Sequence, residues 1–389
     1  MEIEKVNYFR SDLLSEKEKR NITLFELIRK KGPISRTEIS NISGINTVSV
    51  SHYIKNFLDK KLVLEKGFDI SSGGRKPELL ELNTKINRTV GIDIGSGAIR
   101  VTILDLSGNI VAKEITQAPV KSATEAASRI ISLLDEMVKK SGISAAAAIK
   151  AIGVGVPRND LAPVAGMLEQ HFGVDSFAGD HAFCAAFGEK ERGVYSDTKD
   201  ILYLHSDLGS GVIIKSDSIL GYPAYEDGPS GQEAPDMSRQ APADALYYLQ
   251  KWGQAFGMEH IAKIEAAKGV GTNMVSLASG KIENISARTV IEAAGKNDQL
   301  AREIVRRSAT NLGIRVAYLI NLFSPEVIIM GGGLEAAGEM VLGPVKNVTK
   351  KFVLSKSADK VKIVSGILKE DVVSIGSGLL AVREMILKA

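Results

Sequence analysis

The first hydrophobic stripe of the chain has helical spacing. Within residues 18–31, Ile22, Phe25, Leu27 and Ile28 fall on one face, and Lys30 and Lys31 close the segment where cations suit the helix dipole. Gly32-Pro33 ends that helix, and Ser35-Arg36-Thr37-Glu38 reads as a capping box opening a short second one, stopped at Gly44. Asn46 then caps a third helix, Thr47 to about Lys60. Its Val50, Ile54, Phe57 and Leu58 recur at helical spacing and face inward. The opposite face carries Thr47, Ser49, Ser51, His52, Lys55 and Asn56, short, polar or basic side chains suited to base edges and phosphates in a major groove. Two apolar runs follow, Leu62 to Leu64 and Leu79 to Leu82, flanking Gly73-Gly74-Arg75-Lys76-Pro77. Together they predict a hairpin wing with a basic tip for backbone or minor-groove contact.

The texture changes from Thr89 onward. Val90 to Ile94 reads as a buried strand, Gly95-Ser96-Gly97 as a tight turn, and Ile99 to Leu104 as the returning strand, with Asp93 near the end of the first. A second copy follows: strand Leu202 to Leu204, turn Asp207 to Gly211, strand Val212 to Ile214. The string Asp-x-Gly-Ser-Gly thus occurs at 93–97 and at 207–211, and such an internal repeat predicts two similar lobes facing a cleft. Glycines in such turns let backbone amides surround phosphate oxygens, and the aspartate suits a metal, often through water. A third glycine-rich joint, Gly331-Gly332-Gly333, leads from a strand into a helix near Glu335. It suits either a nucleotide or plain helix–strand packing.

Composition narrows the possibilities. The 389 residues are too many for one ordinary domain, and 44% hydrophobic with 24% charged residues is a globular balance. Cys184 is the single cysteine, so an internal disulfide and a cysteine-based zinc site are excluded. The charged start lacks a signal-peptide core and no apolar run reaches the ~20 residues of a membrane span, so a cytoplasmic protein without membrane contact is expected. The net charge of +3 is uneven: +5 over residues 1–88 and −2 over the rest. A basic head on a slightly acidic body fits a nucleic-acid module joined to a small-molecule domain.

The run ISRTEISNISGINTVSVSHYIKNFLDKKLV, followed by SGGRKPELLELN, closely resembles the head of ROK-family regulators (repressors, open reading frames, kinases), and the order of glycine motifs resembles the ROK body over residues 89–389. The resemblance implies an α/β protein: a winged helix-turn-helix over 1–85, then a two-lobed actin/hexokinase-like (ribonuclease H-like) domain with lobes over 86–200 and 201–389. It implies operator binding as a homodimer, on double-stranded DNA, with Ser35, Arg36, Thr47, Ser49, Ser51, His52, Lys55, Arg75 and Lys76 as contact residues. A small-molecule effector, a sugar or derivative, would meet Asp93, Gly95, Ser96, Asn159, Asp180, Asp207, Gly209, Ser210, Glu233 and Gly332.

The chain departs from the family's kinases. Asp180 stands at the position of their general base, but Gly179 replaces the asparagine before it, and a helix cap explains Asp180 equally well. The family's Gly-Glu-x-Gly-His run is here Gly231-Gln232-Glu233-Ala234-Pro235, so the sugar-binding Glu and His are replaced. The cysteines of the family's structural zinc site are missing. His181 and Cys184, three apart, are more often packing than metal ligands. No metal, ATP or magnesium and no kinase turnover are therefore expected, because positioning supplies most of phosphoryl-transfer catalysis. Two alternatives remain: a carbohydrate kinase with an accessory head, and a constitutive DNA-binding protein with a non-functional ligand domain.

Overall fold

The computed structural model describes residues 14–68, 78–95, 97–117, 120–141, 149–157, 159–195, 198–205, 209–213, 219–221, 258–354 and 360–388. The chain forms two compact units, one of residues 1–179 with 373–389 and one of residues 180–372.

The first unit opens with helices α1 (Glu16–Lys31), α2 (Arg36–Ser43) and α3 (Thr47–Asp59), a short strand β1 (Ile34–Ser35), and the wing strands β2 (Val63–Phe68) and β3 (Glu78–Leu82). The three strands pair in the order β1-β3-β2, all antiparallel. Capping sets the helix starts. Ser15 with Glu18 and Ser35 with Glu38 each form the reciprocal box, and Asn46 accepts from the Ser49 amide. Gly44 takes φ 69°, the left-handed conformation that stops α2 and turns the chain into α3. Leu24, Phe25, Ile28, Ile39, Val50, Ile54, Phe57, Val63 and Leu80 form the head's core. Leu106 and, from the C-terminal helix Val372–Leu387, Val382 and Ile386 belong to the same cluster.

The rest of the first unit is a five-stranded sheet: β4 (Arg88–Ile94), β5 (Ala98–Asp105), β6 (Ile110–Gln117), β7 (Ile149–Val156) and β8 (Ser176–Asp180), in the order β6-β5-β4-β7-β8. The first three are antiparallel and β7 runs parallel to β4. Helices α4 (Ala123–Ser141) and α5 (Val164–Phe172) belong to this layer. Ala126, Ile130 and Leu134 of α4 and Val164 and Leu168 of α5 pack with Val90, Ile92 and Val154. The C-terminal helix packs its backbone directly against the sheet. A Cβ on Gly91 would lie 1.7 Å from the Ser374 carbonyl oxygen, and one on Gly153 would lie 1.8 Å from that of Ser377. Ser377 also donates to the Ile92 carbonyl and accepts from its amide, both at 3.1 Å. Ser374 and Thr102 share a buried hydroxyl contact of 2.9 Å.

The second unit repeats this plan. It holds α6 (His181–Arg192), β9 (Ile201–His205), β10 (Gly209–Ile213), β11 (Ile219–Gly221), α7 (Met258–Ala267), α8 (Met274–Leu277), α9 (Ala287–Gly295), α10 (Gln299–Phe323), β12 (Val327–Gly331), α11 (Glu339–Phe352) and β13 (Lys362–Ser365). Its sheet order is β11-β10-β9-β12-β13, position for position that of the first sheet. It shares the antiparallel hairpin and the parallel fourth strand. The repeat seen in two short motifs thus extends to a whole sheet. One expectation needs correction: the returning strand begins at Gly209, which pairs with His205, so Gly209 to Gly211 lie in the ladder and not in the turn. The connection is three residues, an ordinary hairpin length. Among the described residues no helix is long and apolar enough to cross a membrane.

Two outcomes follow for stability. Gly153→Ala forces a methyl into the Ser377 carbonyl and should cost about 1–3 kcal/mol or more. Gly166→Ala, in open space on α5, should be neutral or stabilising by up to about 1 kcal/mol. Urea denaturation compares the pair directly. The second outcome concerns Glu384 on the C-terminal helix. Burial pushes its carboxyl up to about 7 from 4.5, against the opposing pull of Arg383 and Lys388, and Glu18 adds to the rise. A raised folded-state value means that stability present at acid pH is lost as pH climbs from about 4.5 through about 7. Melting temperatures of Glu384→Gln across that window should show less of this decline than the native chain, and an unchanged slope would refute the assignment.

Candidate functional site: a reading helix and two hairpin turns

In the reader head, α3 is held from beneath by Val50, Ile54 and Phe57, all fully buried. This fixes which face looks outward. Ser51, His52 and Lys55 are exposed, and the His52 ring stands edge-on to Tyr53 at 6.0 Å between centroids. Thr47 is exposed as well, but its hydroxyl donates to Ser40 Oγ at 3.2 Å and ties α3 to α2. Ser49 is half-buried in the first turn, its amide held by Asn46 Oδ1 at 2.8 Å. Lys30 and Lys31 stand in the last turn of α1, and Lys60 caps the C-terminus of α3.

Two expected DNA contacts have structural duties instead. Ser35 is buried, and its hydroxyl both accepts from the Glu38 amide and donates to the Glu38 carboxylate, so it is a helix cap. The two backbone and hydroxyl bonds from Ser35 also hold the Glu38 carboxyl below its ordinary range. Arg36 pairs with Glu65 at 2.7 Å and Glu78 at 3.1 Å, one from each wing strand. Its guanidinium clamps the base of the wing. Arg75 and Lys76 at the wing tip lie outside the described residues.

In the first lobe, the β4–β5 hairpin turns at Gly95, whose amide donates to the Ala98 carbonyl at 2.9 Å. That amide is therefore used within the turn. Asp93 is buried and pairs across the hairpin with Arg100 at 3.1 Å. Arg100 escaped the sequence reading, although 93 and 100 are equidistant from the turn and cross-strand partners share a face. A carboxylate so neutralised is poorly suited to hold a cation. Ser96 and the side chain of Asn159 lie outside the described residues.

In the second unit, Asp180 is the N-cap of α6, its Oδ1 accepting from the Phe183 amide at 3.1 Å. The glycine joint after β12 is filled by the protein itself. A Cβ on Gly331 would lie 2.0 Å from the Tyr203 hydroxyl, and one on Gly332 would lie 2.6 Å from the His205 ring. These glycines leave room for the two rings that β9 presents to the neighbouring strand end. His181 on α6 lies beside His205, ring centroids 5.9 Å apart. Glu189 is buried near this pole and accepts from the Leu368 amide at 2.9 Å. Burial pushes its carboxyl up and the Tyr203 phenol well up, and Glu335 adds to both. These groups gather where β9 and β12 end, the pole at which open α/β sheets carry ligands. A groove lined by Tyr195, Thr198, Glu326, Lys360 and Lys362 lies at the opposite pole, where the strands begin, and is the weaker ligand candidate. Asp207 and Glu233 lie outside the described residues, and Gly209 and Ser210 pair through their backbone with His205 and Leu204.

A face that the sequence reading did not assemble lies on α10. Ile314, Tyr318 and Leu322 recur every four residues and are exposed, and Asn321 holds Phe352 and Leu354, also exposed, beside them through backbone bonds of 3.1 and 3.0 Å.

Comparison with known proteins places this geometry. The chain is 25% identical over 373 residues to the xylose repressor of Caldicellulosiruptor bescii, covering 91% of this chain and 92% of the relative. A crystallised ROK family transcriptional regulator, a homolog of the Escherichia coli MLC protein, superposes with a TM-score of 0.72 at 18% identity, covering 96% of this chain and 98% of that one. A ROK family glucokinase from Streptomyces griseus, in complex with glucose and AMPPNP, gives a TM-score of 0.61 at 20% identity, over 76% of this chain and 99% of the kinase. The regulator fold thus spans head and body, and the kinase fold the body. The ROK family profile matches residues 89–226 and 265–384, and the chain belongs to the ROK family.

Proposed function

We propose that the chain is a DNA-binding transcriptional repressor that works in the cytoplasm as a homodimer on double-stranded operator DNA and answers to a sugar or sugar derivative. The observation that carries this reading is the outward face of α3, with Ser51, His52 and Lys55 exposed above a fully buried apolar face. A helix so presented enters the major groove, with its N-terminal residues at the base edges. The xylose repressor relative aligns with head and body alike, which supports a repressor and points to a sugar as effector class.

The body acts as a sensor without kinase chemistry in this reading. Phosphoryl transfer needs a cradle for the nucleotide and a positioned acceptor. Tyr203 and His205 occupy the face of the glycine joint, Arg100 neutralises Asp93, and Gln232 and Pro235 replace the sugar-holding Glu and His implied by the family resemblance. In this reading the body uses neither ATP with magnesium nor a structural zinc, the cysteines of the family's zinc site being missing from the sequence. The exposed stripe Ile314, Tyr318, Leu322 with Phe352 and Leu354 serves as the face between two copies, because an apolar patch of this kind on a monomer is a liability unless covered.

Three measurements test this. Selection of duplex DNA by the full chain should yield a near-palindromic site, and Lys55→Ala should weaken binding to it while reducing the dependence on log salt by about one. Sustained ATP-dependent phosphorylation of a hexose would overturn the sensor reading. Leu322→Asp should convert the dimer to a monomer by analytical ultracentrifugation and weaken operator binding with it, and a native chain that sediments as a monomer would refute the dimer.

A further inference from the structure

Val48 does not fit the pattern of the helix that carries it. On the inward face of α3, Val50, Ile54 and Phe57 are fully buried and Leu58 is half-buried, whereas Val48 is 82% exposed. It lies in the first turn, one residue past the start of the helix at Thr47. At 100° per residue, Val48 stands on the side opposite Ile54 and Phe57, and in line with Ser51, His52 and Lys55 at i+3, i+4 and i+7. Nothing local favours it there. A β-branched residue is a mediocre helix former, and a polar residue would cost nothing in water. Its surroundings match a polyanion: the first turn has no acidic residue, the helix N-terminus is electropositive, and His52 and Lys55 flank it.

Resting on the DNA-reading role of α3, we propose that Val48 is a specificity-determining residue that packs its methyl groups against the 5-methyl of a thymine in the major groove of each half-site. Thymine is the one base that offers an apolar group there, so an exposed aliphatic side chain at the leading turn of a reading helix has a single matching edge. Ser51 and His52, on the same face, supply the hydrogen bonds that place the neighbouring bases. Val48 thereby favours T over C at one position and adds discrimination that the polar residues of the face do not provide.

The test uses the full chain and the duplex it selects from random DNA. Each thymine of that duplex is replaced in turn by deoxyuridine, which removes the methyl and nothing else. The native chain should lose about fourfold in affinity at one thymine position in one half-site, and about fifteenfold when both half-sites are changed, as burial of a single methyl implies. Val48→Ala should bind the unmodified duplex more weakly and respond little to deoxyuridine. Val48→Thr, which keeps one γ-methyl, should retain a partial response. Binding to unrelated DNA and the melting temperature should be the same in all three proteins, since Val48 supports no core. A native chain indifferent to every thymine methyl, or Val48→Ala with the full deoxyuridine response, overturns the proposal while leaving DNA reading intact. Failure to select any sequence overturns both.

Discussion

The first unit depends on a close approach of backbone to backbone. Gly91 on β4 and Gly153 on β7 carry no side chain where the C-terminal helix crosses, and the carbonyls of Ser374 and Ser377 occupy the space that a Cβ would take. At that distance ordinary side chains cannot mediate the packing, so hydroxyls do. Ser377 bridges both polar groups of Ile92, and Ser374 meets Thr102. The helix then runs on and places Val382 and Ile386 among the core residues of the reader head. A single element thus touches the strand that ends near Asp93 and the core that supports α3. The head is folded against the body through this helix and through Asn87, whose amide donates to the Lys61 carbonyl.

The second unit shows how far the same plan can be put to another use. Both sheets have the same order, with a hairpin first and a parallel strand fourth. Their strand ends differ. In the first unit an ion pair joins neighbouring strands near the pole, Asp93 with Arg100. In the second, aromatic rings stand beside the glycines of the neighbouring strand end. A repeated architecture accommodates both because the sheet is set by backbone pairing and buried aliphatic residues, whereas the poles are set by a few side chains at strand ends. Family membership therefore fixes the first and says little about the second.

The same distinction explains what could be read from the sequence. Capping boxes, the left-handed Gly44 and the Asn46 cap are local, and their chemistry lies within four residues of chain, so the helices of the head were legible almost to the residue. The first hairpin was legible because its glycines sit where a turn needs them. The second was misplaced because the same string there enters the ladder at Gly209, and no local property distinguishes the two copies. Arg36 read as a DNA contact because its partners, Glu65 and Glu78, are far away in sequence and come together only when the wing folds. Val48 was lost for another reason. The inward face was read from Val50, Ile54, Phe57 and Leu58 and the outward one from polar and basic residues alone, yet helical period sets Val48 opposite Phe57. The role of Gly91 and Gly153 was unreadable, since it depends on a helix more than two hundred residues later.

Stability is unevenly distributed within the first unit. The head's own helices start on satisfied caps, and Arg36 locks the wing onto α2. Along the stripe of α1 that carries Leu24, Phe25 and Ile28, however, Asn21 is wholly buried with neither its amide nitrogen nor its oxygen hydrogen-bonded to protein. Each such group forfeits about 1–3 kcal/mol relative to a satisfied one. Glu384, close enough to Glu18 of α1 to feel its charge, adds a carboxyl that burial drives toward its neutral form. Buried polar groups on α1 and on the C-terminal helix thus work against the apolar residues that hold these elements. Val50, Ile54 and Phe57 of the reading helix share one apolar cluster with Val382 and Ile386 of the C-terminal helix, so the reading face and that helix rest on the same core.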